Sequence, residues 1–210
     1  MHDFLEIYDD YTYATCDEII KFFDQTYTST PAGLKAFNRN RQKICSTLTL
    51  NFGEDWKIND LVYAFVKVAI RKYREKYDYL DRIDKISQWR LCPSYNIQRY
   101  DGKEEGFFSL HNESSGSYPY RMLAWMIYLN DALCGTHFPY QEKTVTPKTG
   151  RTVIWPAAWT HPHKGVTPNQ GLKYIATGWG YFLPKKRNDS LHISFDGRHA
   201  DENKINEIVV

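Results

Sequence analysis

The sequence predicts an α+β fold: a helical layer packed on an antiparallel sandwich or jelly roll. Three observations carry that reading. Helical periodicity is confined to the first part of the chain. From about Ser87 short β-branched and aromatic runs take over, separated by clusters of turn residues. Aromatic residues make up 16% of the chain, a share that favours sheet packing. Strands alternating with helices, the mark of a parallel α/β sheet, are absent.

The elements follow in order. "TYATCDEIIKFFDQTY" carries Thr15 three residues before Glu18, a capping-box pattern, followed by an apolar stripe of Ile19, Ile20, Phe22 and Phe23. "NDLVYAFVKVAIRKYREKYDYLDRID" is the strongest helix, with Val62, Val66, Ala69, Tyr73, Tyr77 and Leu80 at three- or four-residue spacing. Asn59 or Asp60 can cap it. "SQWRLCPSYNIQRY", "RMLAWMIYLND", "RTVIWP" and "LKYIATGWGYFL" then read as strands, with "NESSGS", "PKTG" and "TPNQG" as turns between them.

These elements make one domain over 1–210: a helical layer about 14–85, a sheet core about 87–183 and a tail 184–210. Within the tail "SLHISFDG" can add an edge strand. With 27 basic and 25 acidic residues, charge argues neither for nor against nucleic acid. Cys16, Cys45, Cys92 and Cys134 form no CxxC pair, which excludes a zinc ribbon or thioredoxin-type site. The N-terminus has no signal-peptide pattern and no apolar run reaches membrane-spanning length. The expectation is a cytoplasmic protein with reduced thiols.

Two clusters can carry chemistry. In "HNE", His111 and Glu113 stand at i and i+2, which share a face on an extended segment; alone, such a pair is equally an ordinary solvated loop. In "WTHPHKGVTPNQGLKYIATGW", His161 and His163 share the same spacing, and periodicity does not separate them. Lys173 lies on an apolar strand among Leu172, Tyr174 and Ile175. If it points inward, it needs an anion. Two histidines and a carboxylate form a facial triad with open positions for non-haem Fe(II). An inward lysine beside it would hold the far carboxylate of a chelating 2-oxo acid.

At this point the chain resembles the Fe(II)/2-oxoglutarate-dependent dioxygenases, in particular the prolyl 4-hydroxylase-like branch with its small bacterial and phage-type members. The resemblance runs from about Cys16 to Phe182. It rests on "CDEIIKFF", on "IQRY", on "RMLAWMIYLND", on "LCGTHFP", on the turn Pro147 to Gly150, and on "HKGVTPNQGLK". It implies a double-stranded β-helix (jelly-roll) core with N-terminal supporting helices. It implies His111, Glu113 and His163 as metal ligands, and Lys173, with Tyr100 and Thr136, as the 2-oxoglutarate site. His161 then stands behind the ligands or in the cleft wall. The implied cofactors are Fe(II), 2-oxoglutarate and O2, with ascorbate as an accessory. The implied reaction is hydroxylation of a prolyl residue in a peptide or protein.

Hydroxylation of another amino acid or small metabolite is the alternative, as is a cupin-like metal enzyme or binding module. A lysine where the nucleic-acid demethylases carry arginines, and the lack of a basic stripe, disfavour nucleic acid. Arg121 can orient substrate, close the site or end a strand. His137 reads as a packing residue, and Trp155, Trp159 and Trp179 as core aromatics, with Trp179 placed to reach the cavity. Glu113 stands where this branch usually has aspartate.

Overall fold

A computed structural model describes residues 2–9, 13–29, 35–37, 43–53, 57–102, 105–166 and 171–183. The element order is β1 (Glu6–Asp9), α1 (Tyr13–Ser29), β2 (Lys35–Phe37), β3 (Lys43–Asn51), α2 (Lys57–Lys76), α3 (Tyr79–Ile86), β4 (Trp89–Leu91), β5 (Ser94–Asp101) and β6 (Gly106–Phe107). There follow β7 (Arg121–Tyr128), β8 (Thr136–Phe138), β9 (Lys143–Val145), β10 (Arg151–Pro156), β11 (Lys164–Gly165) and β12 (Leu172–Phe182). The tail 184–210, including the expected edge strand, lies outside the described residues, as do the first four residues of "TPNQG".

The large sheet runs β1-β10-β7-β12-β5-β3-β2, with β4 added on β12 and β6 on β3. A small sheet, β11-β8-β9, faces it, and a bridge between His111 and His163 closes the gap. This two-sheet antiparallel arrangement with supporting helices is the expected jelly roll. β12 sits centrally, paired antiparallel with both β5 and β7.

Alternation along these strands builds two apolar layers. Tyr95, Ile97, Trp125, Ile127, Tyr174 and Ala176 point to the helices, where they meet Phe23, Val62, Phe65, Val66 and Ala69. Tyr100, Ala124, Met126, Tyr128 and Ile175 point the other way and meet Phe138, Val145 and Trp155. The helices thus seal one face of the sheet and leave the other to form a cavity.

All four strand segments read from the sequence are strands. The N-terminal part departs from the helical expectation: β1, β2 and β3 lie within it, and β3 joins the sheet beside β5. In "KICSTLTLN" the β-branched residues favour a strand, and the burial comes from pairing with β5, a partner some fifty residues away.

Capping also differs. α1 begins at Tyr13, so Thr15 and Glu18 lie inside it. α2 begins at Lys57, so Asn59 does not cap. Its amide donates to the Asn51 carbonyl at 2.9 Å and its oxygen accepts from the Tyr95 hydroxyl at 2.8 Å, tying the helix to β3 and β5. The long helix breaks at Tyr77–Asp78, and across the break Arg74 pairs with Asp81 and Asp84.

The turn "PKTG" and the "LND" that follows β7 are scaffold. Asp131 accepts hydrogen bonds from the Thr149 amide and hydroxyl at 2.7 and 2.9 Å. Gly150 adopts φ +78°, a conformation that favours glycine. Asn130 binds both the Tyr174 amide and the Leu172 carbonyl. Gly178 has a packing reason: a Cβ there would stand 2.4 Å from Cζ2 of the buried Trp125 ring. Gly178→Ala is expected to cost about 1–3 kcal/mol through overpacking, read as a lower denaturation midpoint with an unchanged m-value.

Candidate metal centre

The cavity between the two sheets, about 400 Å³, is lined by all six residues singled out from the sequence: Tyr100, His111, Glu113, Thr136, His163 and Lys173. Backbone hydrogen bonds place the first group. His111 and His163 exchange both N–H···O bonds, at 3.0 and 2.8 Å, which sets their side chains together from opposite ends of the core. After Asn112 the chain bends, and the Ala157 carbonyl accepts from the amides of Glu113 and Ser114. His111 and Glu113 therefore converge through a pinned bend rather than a regular strand.

One potential donor atom from each of His111, Glu113 and His163 lies within 4.8 Å of the others. Glu113 Oε1 stands 3.3 Å from His163 Nε2 and 3.8 Å from His111 Nε2. Each histidine turns its Nδ1 to a backbone carbonyl: His111 to Ser109 at 3.0 Å and His163 to His161 at 3.1 Å. A carbonyl only accepts, so Nδ1 carries the proton and Nε2 presents a lone pair to the centre.

The walls around them are aromatic. Phe107 stacks on His111 at 3.5 Å, and Phe138 and Trp155 flank His163 at 5.1 and 5.0 Å. Burial, then the neighbouring His163, lowers the His111 imidazole to about 4, against the upward pull of Glu113. Burial pushes the Glu113 carboxyl up, but His163, His111 and the Trp179 N–H outweigh it and bring it to about 2. Near neutral pH the cluster therefore holds an ionised carboxylate beside a neutral His111.

The second group lies on the large sheet. Lys173, Ile175, Thr177 and Trp179 are alternate residues of β12, and Asn96, Gln98 and Tyr100 alternate residues of β5; all face the cavity. Lys173 and Tyr100 are cross-strand partners, and the ammonium sits 4.6 Å from the Tyr100 ring centroid. The Tyr100 hydroxyl donates to Gln98 Oε1 at 2.8 Å. Thr136 Oγ1 accepts from Tyr128 at 2.7 Å, which leaves its own O–H to donate.

Lys173 is 6% exposed, and among the described residues no carboxylate pairs with it. Burial lowers its pKa. A buried ammonium with no described carboxylate beside it, facing a cavity, is suited to receive one from a ligand.

Other expectations separate here. His161 does not join the cluster. Its Nε2 bonds the Asp3 carbonyl at 2.7 Å and its Nδ1 the Thr160 hydroxyl, so only its backbone oxygen serves His163. The expectation that it walls the cleft is not met, because it faces the N-terminal segment. His137 bonds Thr144.

β11 and β12 belong to different sheets, and both contribute residues to the cavity lining. Trp155 is core. Trp159 is not: it lies in the turn after β10 and is 74% exposed. Trp179 does reach the cavity and donates from Nε1 to Glu113 Oε2 at 2.7 Å. Sequence reasoning passed over Asn96, Gln98 and Thr177, polar residues spaced by two along strands otherwise apolar, a pattern legible in "YNIQRY" and "KYIATGW".

Residues 95–181 match the model of the 2OG-Fe(II) oxygenase superfamily. No curated protein matches the chain in sequence. Among solved structures, a prolyl-4-hydroxylase from Pseudomonas putida aligns with a TM-score of 0.62 at 13% identity, covering 86% of this chain and 94% of its own. The viral collagen prolyl hydroxylase of Paramecium Bursaria Chlorella virus-1, in its 2OG complex, aligns at 0.58 and 15%, over 86% and 97%. A prolyl hydroxylase from Trichoplax adhaerens, in complex with a hypoxia inducible factor oxygen degradation domain peptide fragment, aligns at 0.58 and 14%, over 85% and 84%.

The chain thus resembles the 2OG-Fe(II) oxygenase superfamily in sequence over residues 95–181, and prolyl hydroxylases in fold over most of its length. The match and the donor set support an oxidoreductase of the dioxygenase class, with Fe(II), 2-oxoglutarate and O2 as its cofactors. None of the described helices is long and apolar enough to cross a membrane.

Two imidazole nitrogens and one carboxylate oxygen fit Fe(II), leaving positions open for other ligands. Uptake of Mn(II), as an air-stable probe, is expected to persist from neutral pH to about 5 and to fall as His111 takes its proton near 4. Free Mn(II) measured by electron paramagnetic resonance across that range checks this.

Proposed function

We propose that this protein couples oxidative decarboxylation of 2-oxoglutarate to hydroxylation of a prolyl residue in a peptide or protein. His111, Glu113 and His163 hold Fe(II), and Lys173 holds the C5 carboxylate of 2-oxoglutarate. The observation that carries the reading is the pairing, in one cavity, of the His-Glu-His cluster with a buried lysine that none of the described carboxylates neutralises.

Bound iron and its co-substrate supply the activation of O2 and the oxidation of a C–H bond. The chain supplies the geometry. The Ser109 and His161 carbonyls keep each imidazole in the tautomer whose Nε2 is free. Lys173 binds the far carboxylate by a charge-assisted hydrogen bond, with the Thr136 O–H beside it and the Tyr100 ring behind the ammonium. Phe107, Met126, Phe138, Trp155 and Ile175 keep water from the reacting centre.

A second hollow of about 510 Å³ supports a peptide rather than a small metabolite. It adjoins the cavity through Asn96, Tyr118, Arg121 and Trp179, and is lined further by Tyr120, Tyr181, Thr49 and Ser94. Tyrosine-walled hollows of this kind suit extended proline-containing segments. The three similar structures are prolyl hydroxylases by name, and one holds a peptide.

Succinate formation is expected to require Fe(II) and to disappear in His111→Ala and His163→Ala but not in His161→Ala. Lys173→Ala is expected to raise the KM for 2-oxoglutarate about 10- to 100-fold, the equivalent of one charge-assisted hydrogen bond of about 1.5–3 kcal/mol. Full activity in His111→Ala and Lys173→Ala would sink the assignment. Proline-containing peptides and free amino acids, compared side by side for stimulated succinate release and mass gain, decide the substrate. Stimulation by free amino acids alone removes the peptide reading.

A further inference from the structure

Glu113 offers two oxygens, and the structure treats them differently. Oε1 faces both histidine Nε2 atoms. Oε2 accepts from Trp179 Nε1 at 2.7 Å and lies 3.4 Å from an Arg121 guanidinium nitrogen, which also stands 3.3 Å from the Glu113 carbonyl. The guanidinium lies against two rings, its Cζ 3.5 Å from the Trp179 centroid and 3.9 Å from that of Tyr118.

A bulge makes this possible. Trp179 pairs with Ala124 and Gly180 with Leu123, but Tyr181 pairs with Arg121, so Met122 is the extra residue. Strict alternation would turn Arg121 to the helices along with Leu123. The bulge brings it to the cavity, opposite Tyr181, while Met122 packs with Leu123 on the helix side.

We propose that Arg121 and Trp179 are positioning residues that grip Glu113 Oε2, so that the acid meets the metal through Oε1 alone, and that this grip makes glutamate the length the site requires. The inference rests on the metal-ligand reading of the triad. Aspartate is shorter by one C–C bond, about 1.5 Å, and cannot keep one oxygen on Trp179 while the other faces His163. In this chain, therefore, the residue usual in the related branch is the poorer ligand. Trp179→Phe is the probe: it keeps an aromatic ring at the position beside Arg121 and removes the N–H together with the pyrrole half of the indole.

The test is Mn(II) titration of the apo-protein, monitored by electron paramagnetic resonance, with Co(II) absorption spectra as a readout of coordination. Trp179→Phe and Glu113→Asp are each expected to bind Mn(II) about 10-fold more weakly, within the range for loss of a partner behind a metal ligand. In Trp179→Phe the Co(II) spectrum is expected to shift as the carboxylate is freed to rotate. Arg121→Lys keeps the charge but not the planar fork, and is expected to fall between wild type and Trp179→Phe, a second handle should the tryptophan variant unfold.

His163→Ala separates the two levels of the argument. If it loses Mn(II) while Trp179→Phe and Glu113→Asp bind as wild type does, the grip is overturned and the metal site stands. If His163→Ala itself binds as wild type does, the metal site falls and the grip with it.

Discussion

The central placement of β12 between β5 and β7 is the constraint on which the rest of the molecule depends. A strand paired on both edges has only its two faces to offer, and alternation gives each face a fixed set of side chains. One set, Tyr174 and Ala176, joins the helical core; Gly178, next in that set, lies under Trp125. The other, Lys173, Ile175, Thr177 and Trp179, forms one wall of the cavity. A slip of one residue would send the lysine into the helices and Tyr174 into the cavity. The tight Gly178–Trp125 approach and the Asn130 hydrogen bonds to both sides of Tyr174 oppose such a slip.

The helices and the small sheet then have complementary tasks. The helices bury the outer face of the large sheet, so that its inner face can carry polar groups without being the only core. The small sheet brings Thr136, and with the His111–His163 bridge it closes the cavity. Charge is distributed accordingly: a carboxylate between imidazoles at one level, an ammonium that none of the described carboxylates neutralises at another, and apolar rings between. Such separation of a metal-seeking anion from an anion-seeking cation favours a ligand that spans the two.

Much of this was legible in the sequence, for a definable reason. The strands after Ser87 and the two helical stripes are local signals, set by β-branched and aromatic content and by the spacing of apolar residues. The ordered set "HNE", "LCGTHFP" and "HKGVTPNQGLK" singled out His111, Glu113, Thr136, His163 and Lys173, which line one cavity. β3 was illegible as a sheet member because its partner β5 lies some fifty residues away, and the helices on either side dominate the local pattern. Trp159 was misplaced because an aromatic residue after an apolar strand reads as core until the turn that carries it outward is seen.

Amino-acid sequence by itself therefore determined the fold class, the elements with strong local periodicity and the identities of the groups that can bind a metal and a carboxylate. Tertiary structure separated His161 from His163 where spacing does not, because the two have opposite surroundings: one is spent on the Asp3 carbonyl, the other bridged to His111. It also decided the place of Arg121, because a bulge reverses the alternation by which a strand residue's face is read. Spacing along a chain specifies direction only while the backbone stays regular. At this site the backbone bends at Glu113 and bulges at Met122, so what those side chains meet was settled by the pairing of distant segments.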